Sequence, residues 1–229
     1  MKKFVLSGDS MRGIHFLRWL DQGNDSRKVL QLLSHDFSKP PIHHVQFLID
    51  GSTLTIMGVD MFGNIRTYAF DPSDPDSFKG KKLLGRAVFC SGSRVSRVGR
   101  ITAKAPSDSP AATVSHRIGV CLSTYDASLG MLFPLDETTF KRLQSLQNKL
   151  ITSVIQVAGL NPHKFRQAKY ADTAPGEAQG SEKILDGSVV WKYLQLTTEE
   201  QNDMARLIGS RRETVLKNLR ALSRSMFIY

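Results

Sequence analysis

Cysteine and long hydrophobic runs are scarce in this sequence, and each scarcity excludes a class of protein. Only two of the 229 residues are cysteines, Cys90 and Cys121, and without CxxC spacing they support neither a disulfide framework nor a zinc site. The N-terminal stretch MKKFVLSGDS holds a run of only three apolar residues, which is too short for the core of a signal peptide. No segment approaches the roughly eighteen apolar residues of a membrane-spanning helix. We therefore expect an intracellular protein with no membrane partner.

Catalytic motifs are also scarce. No Walker loop, GxGxxG fingerprint or GxSxG nucleophile elbow occurs, and the nearest stretch, CSGSR from Cys90, lacks the GxSxG frame. The histidines have no metal-ligand spacing such as HExxH; they are His15, His35, His43, His44, His116 and His163. The adjacent pair His43 and His44 lies in a strand-like run, where neighbouring side chains face opposite sides. We predict that the chain is not an enzyme and uses no cofactor or metal.

The charge of the chain is strongly basic. Lys and Arg number 31 against 21 Asp and Glu, which gives a net charge of +10 and an isoelectric point near 9.8. Such an excess favours anionic partners, of which nucleic acid is the commonest. The excess is spread along the chain instead of forming a tail or block, so a basic solvated surface remains the alternative.

The first 135 residues read as short strands joined by Gly, Asp and Ser. Three segments have the pattern of β-hairpins: KKFVLSGDSMRGIHFLRWL, STLTIMGVDMFGNIRTYAF and, more loosely, RIGVCLSTYDASLGMLFPL. The first two correspond residue by residue, with Gly8, Met11 and Gly13 matched by Gly58, Met61 and Gly63. A period of roughly fifty residues with about four strands per repeat is typical of propeller blades. The chain has material for only two to three antiparallel blades, so the pattern predicts an open segment of a β-propeller.

Helical periodicity begins at Asp136, which suits an N-cap. Gly159, before Asn161-Pro162, suits the end of this helix. The predicted apolar stripe consists of Phe140, Leu143, Leu146, Leu150, Ile151, Val154 and Ile155.

Three shorter helices are predicted in the remainder of the chain. The first spans 184–195. Capping boxes, in which a hydroxyl and a glutamate three residues later satisfy free amides, start the other two: Thr197 with Glu200, and Ser210 with Glu213. The fold class is therefore mixed β and α, a partial β-propeller followed by a helical C-terminal domain. Its predicted parts are a propeller segment at 1–135, a long helix and connection at 136–167, a flexible linker at 168–183 and the helical domain at 184–229.

The last two predicted helices resemble a helix-turn-helix, with Ala205, Gly209 and Val215 at its packing and turn positions. One interpretation is a sequence-specific DNA-binding regulator, whose exposed face would carry Arg211, Arg212, Thr214, Lys217 and Asn218. The other is that Val215, Leu216, Leu219, Leu222 and Met226 pack the helix while its basic residues stay in water. Trp191 and Tyr193 also have two interpretations, as a platform on which bases stack or as core residues. Their position in an apolar helical run favours the core.

Three stretches carry a resemblance to a known family. They are GKKLLGRAVFCSGSRV, then MLFPLDETTFKRLQSLQNKL followed by AGLNPHKFR, and then ILDGSVVWKYLQLTTEEQNDMARLIG. In this order they resemble the C-terminal region of the largest subunits of cleavage and polyadenylation specificity factor. The large damaged-DNA-binding protein subunit and a spliceosomal propeller subunit are paralogues of that family.

The resemblance implies a scaffold. Family members build three β-propellers and a C-terminal helical domain, and they hold partner subunits that recognise the polyadenylation signal in nuclear pre-mRNA. The chain would then be the last blades of the third propeller with the helical domain, part of a longer nuclear protein. Its expected partners are the other subunits of the complex, with pre-mRNA as a further candidate.

The resemblance also directs attention to particular residues. It marks the start of the helical domain by Asp186, Gly187, Trp191, Tyr193 and Leu194. Apart from the resemblance, the basic face of the last helix makes Arg211, Arg212, Lys217 and Arg220 the candidates for nucleic-acid contact. The last helix is basic where relatives tend to be acidic, and the linker is longer and richer in Gly and Pro than expected.

Overall fold

A computed structural model describes residues 3–21, 28–50, 53–104, 116–168 and 183–226. The predicted linker at 168–183 therefore lies outside the described residues except for its two ends. The described chain is mixed β and α, with the strands first and the helices after them. The strands are β1 Lys3–Asp9, β2 Gly13–Asp21, β3 Lys28–His35, β4 Ile42–Asp50, β5 Thr53–Asp60, β6 Asn64–Ala69, β7 Leu84–Cys90, β8 Val95–Lys104, β9 His116–Thr124 and β10 Leu129–Leu132. The α-helices are α1 Glu137–Ser153, α2 Pro162–Phe165, α3 Gly187–Val190, α4 Thr198–Leu207 and α5 Arg212–Met226.

The strands form two antiparallel sheets. β1, β2 and β3 make a three-stranded sheet in sequence order. A seven-stranded sheet has the order β10-β9-β4-β5-β6-β7, and β8 pairs with the other edge of β9. The link between the two halves of this larger sheet is short, because β4 meets β9 only at Ile49–Ile118 and Asp50–Arg117. Neither sheet closes on itself.

The repeated residues found in the sequence form a repeated turn. In the β1–β2 turn, Asp9 Oδ1 accepts hydrogen bonds from the amides of Met11 and Arg12 at 2.7 and 2.9 Å. In the β5–β6 turn, Asp60 Oδ1 accepts from Phe62 and Asn64, both at 2.9 Å. Gly13 and Gly63 follow with φ of +76° and +85°, a region that glycine adopts without strain. The hairpins predicted from Asp and Gly are confirmed.

The other matched pair of glycines allows close packing between the two sheets. A Cβ on Gly8 would lie 2.8 Å from Ile42 Cγ2, and one on Gly58 would lie 2.5 Å from Ile14 Cδ1. Both distances are shorter than side-chain contacts allow. The sheets are thus held against each other around an apolar cluster of Ile14, Phe16, Ile42, Ile56, Tyr68 and Leu83.

The other two apolar clusters lie within the large sheet and among the helices. The first consists of Leu48, Met57, Val59, Ile65, Val95, Val120 and Leu122. The helical cluster joins α1 to the three C-terminal helices through Leu143, Leu146, Leu150, Val189, Val190, Tyr193, Met204, Ala205, Val215 and Leu219. The long helix α1 is therefore packed as a member of the helical bundle.

Helix α1 begins as predicted but ends earlier. Asp136 is its N-cap, with Oδ2 accepting from the Thr139 amide at 2.9 Å. The helix stops at Ser153, and the predicted continuation to Gly159 is wrong; Ile155, assigned to the apolar stripe, is 93% exposed. Two features account for this early end. The β-branched residues of ITSVIQV have a low helix propensity. In addition, Gln156 Nε2 donates to the carbonyls of Leu150 and Val154 at 3.0 and 2.9 Å.

The cap at Asp136 gives a direct stability prediction. Asp136→Ala should lower the free energy of unfolding by about 1 kcal/mol, because the Thr139 amide and the Thr138 hydroxyl at the start of α1 lose their acceptor. Asp136→Asn, which keeps the acceptor oxygen, is the matched control and should cost clearly less. Urea unfolding of both variants checks this, and equal losses would contradict the capping account.

Two of the C-terminal helices begin at other residues than predicted. The helix predicted from Ile184 begins only after Asp186, as the single turn α3, and continues as a 3-10 helix over Trp191–Gln195. The capping box of Thr197 and Glu200 is confirmed at α4. The box predicted at Ser210 is wrong, because α5 begins at Arg212. The Ser210 amide instead donates to the Ala205 carbonyl at 2.8 Å and so closes the end of α4.

Candidate interdomain site

Arg166, just after α2, links the strands to the helices. Its Nη1 donates to the carbonyl oxygens of Cys90 and Ser91 at the end of β7, at 3.2 and 3.0 Å. Its Nε donates to Asp186 Oδ2 at 2.6 Å, and its Nη2 to Asp186 Oδ1 at 3.4 Å. The Arg166 carbonyl also accepts from the Cys90 amide at 3.0 Å. One side chain thus binds a strand end and a helix start together.

Asp186 has three structural roles at this junction. It pairs with Arg166, and its Oδ1 accepts from the Ser188 amide at 2.9 Å as the N-cap of α3. Its own amide donates to Gln147 Oε1 of α1 at 2.7 Å. Through this residue α1, α2 and α3 share one polar centre, which we call the Arg166–Asp186 junction.

The junction is buried and well satisfied. The side chains of Arg166 and Asp186 are 16% and 9% exposed. The guanidinium carbon lies 4.8 Å from the centroid of Phe89 and 5.0 Å from that of Phe165, within the range of cation–π attraction. A buried ion pair is stable only when hydrogen bonds replace the lost water, and here carbonyls and amides do so. The Arg166–Asp186 pair therefore holds the end of β7 and the start of α3 in a fixed relative position.

The junction joins two of the motifs that carry the family resemblance. Arg166 ends AGLNPHKFR, and Asp186 lies in ILDGSVVWKYL. Sequence reasoning singled out Asp186 and Gly187 but gave Arg166 no role. The two residues are separated by a segment of low sequence complexity, and nothing in their spacing indicates a pair. The only feature of the sequence that links Arg166 to Asp186 is that each lies in a motif of the family resemblance.

An open apolar groove of about 480 Å³ lies beside the junction, between the large sheet and the helices. Its walls come from β4, β5, β6, β7 and β10 on one side and from the helical part on the other. Among the residues that line it are Leu48, Met131, Phe133, Phe140, Ile184 and Trp191. Arg86, Glu137 and Lys183 are charged members of the lining.

The residues predicted to begin the helical domain occupy different environments. Tyr193 is fully buried; its hydroxyl donates to the Gln201 carbonyl at 2.9 Å, and Gln201 Nε2 donates back to the Tyr193 carbonyl at 3.1 Å. Burial raises the pKa of the Tyr193 phenol above its ordinary value. Trp191 is half-buried, packs against the helical cluster and lines the groove, close to Gly187. Leu194 is 48% exposed.

The half-buried position of Trp191 limits its expected effect on stability. Trp191→Ala should lower the free energy of unfolding by about 1–3 kcal/mol, below the roughly 3–5 kcal/mol of a fully buried tryptophan. Trp191→Phe should recover most of this loss, because it restores apolar contact with the cluster. Urea unfolding followed by circular dichroism measures both. A loss above that range in Trp191→Ala would show that the side chain is more deeply packed than described.

The predicted nucleic-acid contacts lie on or near α5. Arg211 and Arg220 are exposed, and so is Lys217. Arg212 is half-buried, and its Nε donates to Gln201 Oε1 at 2.8 Å, which ties it to α4. Ala205 and Val215 are buried, and Gly209 has φ of +66°, so the helix-turn-helix shape is present. Its recognition face is thus partly used for internal contacts.

The described residues contain no group of three or more His, Cys, Asp or Glu arranged to hold a metal ion. His43 is exposed and His44 half-buried, and His43 lies at a register shift of β4 against β5, where the regular alternation of side chains is interrupted. Burial lowers the pKa of His44. In the same parts of the chain, no helix combines the length and the apolar character needed to cross a bilayer.

Comparison with known proteins places these features in a family. A family model described as the CPSF A subunit region matches residues 1–195. The chain is 40% identical over 223 residues to cleavage and polyadenylation specificity factor subunit 1 of Arabidopsis thaliana, covering 97% of this chain and 15% of the relative. It is 36% identical over 223 residues to a probable subunit 1 of Oryza sativa subsp. japonica, with the same coverage. Identity to subunit 1 of Drosophila melanogaster is 28% over 234 residues, covering 100% of this chain and 16% of the relative.

The fold and the junction define a structural class: antiparallel sheets fixed to a helical bundle by a buried ion pair. With the family match over most of its length, the chain belongs to the CPSF A subunit family. It spans about 15% of the length of the plant relatives. The comparisons give no support to the alternative of a DNA-binding regulator.

Proposed function

We propose that the chain is a non-catalytic scaffold segment in nuclear pre-mRNA 3′-end cleavage and polyadenylation. It would support the assembly of the other subunits and the nucleic-acid binding of the complex. The observation that carries the proposal is the Arg166–Asp186 junction, in a chain whose relatives are named as subunits of the cleavage and polyadenylation specificity factor. The most elaborate polar centre of the described chain is used to hold two structural units in a fixed relation, which is the task of a scaffold.

We further propose that the two sheets are blades of an incomplete β-propeller. Two arrangements support this. The strands β1, β4 and β8, which open three successive antiparallel groups, lie next to one another in that order. The β1–β3 sheet also exposes apolar side chains on one face of β3 that a neighbouring blade would cover, since Leu30 and Leu32 are 48% and 49% exposed. In this account the helical domain follows the blades, and α1 packs with it.

Co-expression of the chain with the subunits of the cleavage and polyadenylation complex tests the scaffold proposal. A tagged chain should retain at least one subunit through purification at physiological salt. A variant with the groove altered, Phe140→Asp with Trp191→Asp, separates binding at the groove from binding elsewhere, provided that its melting curve remains cooperative. If the folded wild-type chain retained no subunit, the scaffold role of this segment would be excluded.

A further inference from the structure

Four aromatic rings lie in a row that begins at one end of the three-stranded sheet, and the middle pair, His35 and Phe37, is tilted by 34°. His15 of β2 lies over His35 of β3, with centroids 6.0 Å apart and an interplanar angle of 14°. His35 contacts Phe37 at 4.7 Å, and Phe37 stacks on Phe78 at 5.8 Å with an angle of 9°. We call these four residues the aromatic ladder. Its far end is open to solvent, since Phe37 and Phe78 are 45% and 58% exposed.

The ladder is held by backbone contacts of His35. The His35 amide donates to the Lys81 carbonyl at 3.1 Å, and its carbonyl accepts from the Leu83 amide at 3.0 Å. These bonds fasten the end of β3 to the segment that follows Phe78. The stacked rings are therefore positioned in advance, and a ligand would not have to assemble them.

The loop that presents Phe78 has an uncommon backbone. Phe78, Lys79 and Gly80 have consecutive φ values of +50°, +59° and +83°. A positive φ is an outlier for a bulky aromatic residue, and strained residues of this kind cluster at functional sites. Buried Ser77 stabilises the loop, because its hydroxyl donates to the Asp74 carbonyl at 2.6 Å and accepts from the Gly80 amide at 3.0 Å.

Lysines lie close to the ladder residues in the sequence. The lysines nearest to its rings in the sequence are Lys39, Lys79, Lys81 and Lys82, of which the first three are exposed. Between residues of the described ranges, none of the four forms an ion pair. Of the neighbouring carboxylates, Asp36 is buried and accepts from the Tyr68 hydroxyl at 2.7 Å, Asp71 and Asp74 accept from backbone amides, and Asp76 is exposed.

We propose that the aromatic ladder and its lysines bind a single-stranded polynucleotide. An exposed flat ring offers a face on which an unpaired base can stack whatever its sequence, and the lysines match the phosphates. A duplex does not fit this chemistry, because its bases are already stacked on one another. RNA and DNA share the recognised features, and the inference rests on the proposed function only for the choice of RNA.

Fluorescence anisotropy with a labelled 12-nucleotide oligo-uridine, its DNA counterpart and a duplex of the same length tests this proposal on the full chain. Phe37→Leu with Phe78→Leu keeps apolar bulk and removes the outer face of Phe78 together with the Phe37 ring on which it stacks, so affinity for the single strand should fall about tenfold or more. Phe78→Tyr keeps the face and should bind like the wild type. Tyr125→Ala removes an aromatic side chain that is 77% exposed but lies outside the ladder, and it is the matched control.

Each outcome decides the proposal. Selective loss in the leucine variant, with wild-type melting behaviour and unchanged Tyr125→Ala, supports the ladder; stronger RNA than DNA binding then identifies the polymer. Unchanged affinity of the leucine variant, an equal loss in Tyr125→Ala, duplex binding as tight as single-strand binding, or no binding at physiological salt would each overturn it. Retention of complex subunits, measured on the same variants, tests the scaffold proposal separately, because no ladder residue lines the groove.

Discussion

Arg166→Ala should lower the free energy of unfolding by about 3–5 kcal/mol, because it breaks a buried ion pair. The substitution leaves the Asp186 carboxylate buried without its cation and leaves the carbonyls of Cys90 and Ser91 without their donor. The strands and helices should also lose their coupling. Urea unfolding followed by Trp191 fluorescence in a Trp19→Phe background reports on the helical side, and circular dichroism reports on the whole chain. In Arg166→Ala we expect the two transitions to separate.

The exposed pair of Arg206 and Asp203 supplies the control for this prediction. Its side chains are 82% and 72% exposed at an N–O distance of 3.8 Å, so Arg206→Ala should change the free energy of unfolding by less than about 0.5 kcal/mol. A double-mutant cycle of Arg166→Ala with Asp186→Ala should show a loss well below the sum of the single losses. Additive losses would contradict direct coupling of the two side chains.

Tyr193→Ala should cost about 3–5 kcal/mol of unfolding free energy, comparable to other large aromatic deletions in cores. Tyr193 is fully buried in the helical cluster, and its ring and hydroxyl hold the start of α4 through Gln201. The adjacent Leu194, 48% exposed, provides a matched control, because Leu194→Ala should cost less than about 1 kcal/mol. Urea unfolding compares the two. Similar losses at both positions would contradict the described orientation of the 3-10 helix at Trp191–Gln195, in which Tyr193 faces the core and Leu194 faces solvent.

The Tyr193 phenol also predicts a pH dependence. Burial raises its pKa in the folded chain, so the folded state holds the proton more tightly than the unfolded state does. Its contribution to stability is therefore complete below the unfolded pKa of about 10 and is lost as the pH rises above it. Tyr193→Phe should reduce the fall in melting temperature between pH 9 and pH 11, and an unchanged fall would assign it to other groups.

Local chemistry made the strands and turns predictable. The aspartate in each turn bonds amides two to four residues ahead, and the glycine that follows adopts a positive φ, so GDSMRG and VDMFGN each determine a turn by themselves. The caps at Asp136 and Thr197 are local in the same way. Packing by Ala205 of α4 and Val215 of α5 was also visible, because both occupy packing positions of the helix-turn-helix pattern.

Features that depend on distant partners were not predictable. The end of α1 is set by the side chain of Gln156, which turns back onto the last carbonyls, and periodicity alone does not report this. Ser210 looks like an N-cap in sequence but closes the preceding helix, because Gly209 ends α4 one residue before it. The role of Arg166 depends on folding, which brings AGLNPHKFR and ILDGSVVWKYL into contact. Leu194 continued an apolar run in sequence, yet it is half-exposed.

In the proposed scaffold role, this chain binds subunits of the cleavage and polyadenylation complex through a surface whose sheets and helices are held together as one unit. The most direct test is a chimera of the Arabidopsis relative whose matching region is replaced by this chain, tagged and purified with the complex. Mass spectrometry of the retained subunits should show the wild-type set for the chimera and a reduced set when the chimera carries Arg166→Ala. A complete set with Arg166→Ala, in a chimera shown by hydrogen exchange to have uncoupled helices, would contradict the claim.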